Sequence, residues 1–128
     1  MNRRYKCGLL AALLTLSLAG CDNSDRDTRV WRLATRKLVE TYADAARTMV
    51  RDCGPERVAE AKFPNALFQN PGWDAWRGPY VQGKVRAEDL FGSQIRFVVT
   101  NGQMRIISAG EDRRFGTLDD IVESVYLK

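Results

Sequence analysis

No histidine occurs among the 128 residues, and only three cysteines do. The first absence removes the commonest general base, so neither a Ser-His-Asp nor a Cys-His arrangement can be assembled. Serine is sparse as well: after residue 20 it occurs at Ser24, Ser93, Ser108 and Ser124, in separate segments. No cysteine pair stands at metal-ligand spacing. A glycosidase-type pair of carboxylates survives these exclusions, but Asp119 and Asp120 are adjacent and badly placed to face each other across a substrate. The expectation is a protein that is not an enzyme.

Long apolar runs are also missing. Arg3, Arg4 and Lys6 precede a stretch from Leu9 to Leu18 that is apolar apart from Thr15 and Ser17. A bilayer-spanning helix needs about 20 apolar residues, so this stretch has the shape of a secretory signal instead. It ends in Leu18-Ala19-Gly20-Cys21, which resembles the lipobox of bacterial lipoproteins. That resemblance implies a signal peptide over residues 1–20, diacylglycerol on the Cys21 sulfur and, after cleavage, a triply acylated terminus. The alternative is an ordinary cleavable signal beside a chance cysteine. Acyl chains at ~0.8 kcal/mol per buried methylene would make attachment effectively permanent. Asp22 resembles the signal that retains enterobacterial lipoproteins in the inner membrane, with the outer membrane as the alternative. Lys6-Cys7-Gly8 is similar to a prepilin cleavage site, but Leu13 stands where prepilins carry glutamate and the run is too short for a pilin stem. That reading is set aside.

Neither sign of charge dominates. The net charge of +4 misleads, because three of the 20 basic residues and none of the 16 acidic ones precede Cys21, leaving 17 against 16. A nucleic-acid binder would show a sustained basic face. The one local enrichment is Arg26, Arg29, Arg32, Arg36 and Lys37, read as a solvated helix face, with contact to anionic headgroups as the alternative. With Cys7 in the signal and Cys21 modified, Cys53 is left alone in an oxidising compartment, so no internal disulfide forms. It reads as a small buried apolar residue at a helix end, intermolecular pairing being the other option.

Residues 21–28 read as the lipidated cysteine and a polar tether, with a single domain over residues 29–128. From Arg29 to Asp52, the residues Trp31, Ala34, Leu38, Tyr42, Ala45 and Met49 recur three or four apart, predicting an amphipathic helix. Asp27 or Thr28 can cap its start, and Gly54-Pro55 ends it. Residues 55–93 read as a long connection with helical turns near Pro55–Ala61 and Asn65–Phe68. Alternation around Ile95, Phe97 and Val99, then Asn101-Gly102, then Met104, Ile106 and Ser108, predicts a hairpin. A last strand spans Ile121–Leu127. The fold class is α+β: a long N-terminal helix packed on a three-stranded antiparallel sheet.

Two stretches carry a family likeness. Trp76-Arg77-Gly78-Pro79-Tyr80-Val81 followed by Glu88-Asp89-Leu90-Phe91-Gly92, and Ser108-Ala109-Gly110-Glu111-Asp112 with Gly116-Thr117-Leu118-Asp119-Asp120-Ile121, resemble segments of the head domain of type II secretion major pseudopilins. The likeness covers most of the chain after Cys21, in order. It implies a pseudopilin-like head and a structural or interaction role accessory to secretion or pilus-like machinery. It also implies calcium at the acidic loop, held by Asp112, Asp119 and Asp120, whose hard oxygens suit that ion. The alternative there is a solvated turn in which these carboxylates bond backbone amides. The family's apolar stem is absent, so fibre assembly in the pseudopilin manner is not expected. Arg113 stands where the family often has glycine, and Arg114 follows it. Phe63, Phe68, Trp73, Trp76 and Tyr80 read as residues pinning the connection to the core. Their alternative is a platform for a small ligand or peptide.

Overall fold

The computed structural model describes residues 15–83 and 87–127, with side chains from Arg26 onward. The first 14 residues of the expected signal, and the side chain of Cys21, lie outside the described residues.

Helix α1 spans Thr15–Cys53. It begins well before the expected start at Arg29, so residues 22–28 continue the helix instead of forming an irregular tether, and Asp27 and Thr28 lie within it rather than capping it. No glycine or proline stands between Asp22 and Cys53. The Asp, Asn and Ser of the polar segment each cost at most roughly 0.7 kcal/mol in a helix interior, too little to halt one that is already anchored downstream by packing. The C-terminus is where the sequence puts it. Gly54 takes φ 90°, its amide donates to the Val50 carbonyl at 2.9 Å, and Pro55 opens the short helix α2, Pro55–Glu60. Helix α3 is the single turn Asn65–Phe68.

Three antiparallel strands follow in the order β1 (Arg96–Thr100), β2 (Gln103–Ser108), β3 (Ile121–Tyr126). Thr100 pairs with Gln103 across a two-residue turn in which Asn101 and Gly102 both have positive φ, 38° and 75°. That is the conformation which the right-handed twist of paired strands favours and which Asn-Gly tolerates. Because Phe97 faces Ile106, Val99 faces Met104 and Met104 faces Val125, one side of the sheet is apolar. Val39, Tyr42, Ala46 and Met49 of α1 close that side, and Val58 and Leu67 from the two short helices complete the core. Phe97 is held between Phe63, stacked at 5.6 Å, and Tyr42, edge-on at 5.7 Å. The molecule is α+β, with one long helix against a three-stranded antiparallel sheet.

No helix among the described residues is long and apolar enough to cross a membrane. Ile106 sits on the central strand with no solvent exposure. Truncation to alanine there is expected to lower unfolding free energy by about 2 to 5 kcal/mol, read from the urea midpoint; a change under about 0.5 kcal/mol would show that this face is not the core.

Candidate functional site

The two stretches that carry the family likeness meet in space, and Asp89 joins them. Its backbone starts a tight turn, with the Gly92 amide donating to the Asp89 carbonyl at 3.2 Å and the Asp89 amide donating to Ser93 at 2.9 Å. One carboxylate oxygen accepts the amides of Phe91 and Ser93, at 3.0 and 2.9 Å. The other accepts the Ser108 hydroxyl at 2.7 Å, and Ser108 Oγ in turn accepts the Gly110 amide at 3.2 Å. Asp89 is 5% exposed and Ser108 fully buried. A buried carboxyl needs its lone pairs filled, and here three donors from two segments fill them. Thr35 of α1 accepts the Leu90 amide at 3.3 Å, and Trp31 meets Phe91 edge-on at 6.2 Å, so the same turn is fastened to the helix. Asp89 is not among the residues that the sequence singles out for a site. The signal that could have found it is Asp89-Leu90-Phe91-Gly92-Ser93 itself, an aspartate three residues before a turn glycine.

Ser108 leads from β2 into the acidic loop. At Gly110, φ is 77° and an added Cβ would run into the Asp119 carbonyl, so only glycine lets the two ends of the loop approach this closely. Arg113 also takes a left-handed conformation, φ 57°, at the position where the resembled family often has glycine. An arginine thus meets a backbone conformation that favours glycine. Asp112 Oδ1 accepts the Arg114 amide at 2.9 Å, Asp119 Oδ2 the Asp112 amide at 3.2 Å, and Asp120 Oδ2 the Gly116 amide at 2.7 Å. The Arg114 amide, and after it the Thr117 hydroxyl, hold the Asp112 carboxyl below its ordinary pKa. The loop is further tied down by Arg32, which donates to the Asp119 carbonyl at 3.2 Å, and by the Arg96 guanidinium 3.8 Å above the Phe115 ring.

The expected calcium ligands therefore each serve as an acceptor for a loop amide. Among the described residues, no group of three His, Cys, Asp or Glu side chains is arranged to hold a metal ion. One atom is left over: Asp120 Oδ1 is buried and accepts no hydrogen bond. The donor chemistry, oxygen throughout, fits a hard cation at that atom.

The aromatic connection packs against the core rather than standing free of it. Trp76 Nε1 donates to the Ala66 carbonyl at 2.8 Å and its ring meets Tyr80 edge-on at 5.5 Å. The Tyr80 hydroxyl donates to Asp52 at 2.9 Å, accepts the Arg77 amide at 2.9 Å, and lies 3.9 Å from Cys53 Sγ at the end of α1. Cys53 is half-buried, not buried as its place at the helix end suggested. Trp73 lies beneath the Arg57 guanidinium and borders an open depression of about 430 Å³ whose other walls include Glu60, Lys62, Asn65 and Gln69.

No family model, curated protein or solved structure matches the chain.

Two outcomes follow from these contacts. Asp89→Ala strands two amides and a hydroxyl, and with about 1 to 3 kcal/mol for each buried unsatisfied group it is expected to destabilise by roughly 3 kcal/mol or more. A double-mutant cycle with Ser108→Ala should give a coupling of at least about 0.5 kcal/mol; additive losses would show that the two side chains act independently. Burial foremost, with the Asp52 carboxylate adding to it, pushes Tyr80 up to about 12. The unfolded chain then releases this proton at lower pH than the folded one. Its stabilising effect is whole below pH 10 and disappears as pH rises through about 12. Tyr80→Phe should flatten that part of the alkaline unfolding curve, and an unchanged curve would refute the assignment.

Proposed function

We propose that the chain is a membrane-anchored, non-enzymatic lipoprotein whose pseudopilin-like domain serves as a structural or interaction module accessory to a secretion or pilus-like system. The observation that carries this reading is the Asp89–Ser108 hydrogen bond. It brings the two segments of sequence likeness together beside α1, and that proximity is what supports the reading. Anchoring through acyl chains on Cys21 follows from the lipobox-like sequence, and the domain would then face the periplasm.

Calcium belongs to the same proposal. Asp120 would hold it, with Asp112 and Asp119 turning oxygens toward it, and the ion would supply positive charge between three neighbouring carboxylates. Its role would be to stiffen the link between β2 and β3. A ligand-binding module using the depression beside Trp73 is the second reading. Its support is that indole edge, but the remaining walls are largely the polar side chains of one surface, and Trp76 is committed to packing.

Thermal unfolding with and without millimolar calcium tests the ion. The midpoint should rise by several degrees with calcium, and the rise should vanish in Asp120→Asn; no shift in the unaltered protein removes calcium from the proposal. Cross-linking in intact cells tests the partner. Recovery of envelope secretion or pilus components supports the accessory role, and their consistent absence overturns it.

A further inference from the structure

Among the described residues, most of the large exposed apolar side chains lie toward one end of the domain. Among the described residues, the large exposed ones are Val30, Trp31, Leu33, Leu90, Leu118 and Tyr126. The first three lie on the stretch of α1 nearest Cys21. Leu90 joins them through the hydrogen bond that its backbone amide donates to the Thr35 hydroxyl, and Leu118 through its neighbour Asp119, whose carbonyl accepts from Arg32. Tyr126 is elsewhere. Arg47 of α1 bonds the Ser124 carbonyl while Arg32 bonds that of Asp119, so β3 runs alongside α1 away from its start and carries Tyr126 to the far end.

Charge is sorted in the same place. By helical periodicity Arg26, Arg29, Val30, Leu33, Arg36 and Lys37 share the side of α1 opposite the buried Thr35, Val39, Tyr42 and Ala46. All six are exposed, Val30 by 58% and Leu33 by 67%. Among the residues with described side chains, the next acid on that side is Glu40, a turn beyond, and Asp27 lies as far toward one flank as Arg36 does toward the other. Two apolar side chains framed by four cations, with no acid between them, do not complement water alone. They complement a surface that is negative outside and apolar just beneath, into which arginine and lysine stems can lie while their charged heads stay at the phosphates.

We propose that this outer face of α1, Arg26 to Lys37, docks on the anionic headgroups of the bilayer that holds the chain. The inference rests on the anchoring reading above, because the acyl chains would keep the face within reach. About 15 Å of helix at 1.5 Å per residue separates Cys21 from Trp31, so α1 reaches the headgroups by lying over toward the membrane. The acyl chains then hold the protein, and the basic face sets how the domain is oriented. Charge selects the lipid: phosphatidylglycerol or another anionic lipid engages the face, and phosphatidylcholine does not.

The test uses the purified full chain, its Cys21 acylation read by mass spectrometry, on vesicles of phosphatidylcholine alone or mixed with phosphatidylglycerol. Hydroxyl-radical footprinting should show oxidation of Val30 and Leu33 falling several-fold on the anionic vesicles, with Tyr126 unchanged. The triple variant Arg29→Glu, Arg36→Glu, Lys37→Glu should still float with the vesicles but lose that protection. Equal oxidation on both vesicle types overturns the inference while leaving the anchor standing. Protection that appears without vesicles and grows with protein concentration also overturns it, in favour of a second copy as the occupant. Unacylated protein that floats only with anionic vesicles supports the docking face and sinks the anchor. Failure to float with either type sinks both.

Discussion

The carboxyl of Asp89 is the constraint on which the rest of this architecture depends. It lies in the interior, and among the described residues its two oxygens are filled by hydrogen-bond donors held in place by the fold. Two of those donors are amides of its own turn, which fixes the turn. The third is Ser108 at the end of the central strand, which fixes where the turn sits on the sheet. Because Thr35 and Trp31 hold the neighbouring residues against α1, helix, turn and strand converge on one polar centre within an otherwise apolar core. The acidic loop starts from that centre, and its geometry inherits the placement.

A second centre works at the opposite end of the helix by a different combination of forces. Tyr80 brings an apolar ring to Trp76 and a hydroxyl to Asp52 and the Arg77 amide, so the connection that leaves α1 at Gly54 is brought back to within hydrogen-bond reach of the helix's last turn. Long irregular segments lose entropy when ordered, and aromatic burial supplies the offset here. Between the two centres the strands need only pack. The outer face of α1's first turns is left free of the core, and there the exposed valine and leucine stand among arginines and a lysine.

The sequence announced the larger elements with little ambiguity. Apolar spacing gave α1 from Trp31 to Met49, Gly54-Pro55 its end, Asn101-Gly102 the hairpin, and alternation the faces of β1 and β2, all of which the structure has. The start of α1 was misread, because polar residues without glycine or proline are a weak stop signal. The packing of the aromatic connection was legible in its composition. The acidic loop was legible as a loop, but which amide each carboxylate serves was not. Asp89 went unrecognised because an aspartate before a turn glycine is ordinary in sequence and becomes unusual only when buried.

What the sequence determined alone was the set of local decisions: where chain direction changes, which face of the hairpin is apolar, and which chemistries are impossible without histidine. These depend on neighbours one to four residues away and can be read from spacing. On α1 the expected stripe held only in part, since Trp31 and Ala34 are exposed while Thr35, Val39, Ala43 and Ala46 are buried. Only the tertiary structure decided that Asp89 meets Ser108, that Gly110 must lie against Asp119, and that Leu90 and Leu118 come near the start of α1 while Tyr126 goes to the far end. Each of those joins residues separated along the chain. Such contacts are set by how the helix and sheet close on each other, and no local pattern encodes that closure.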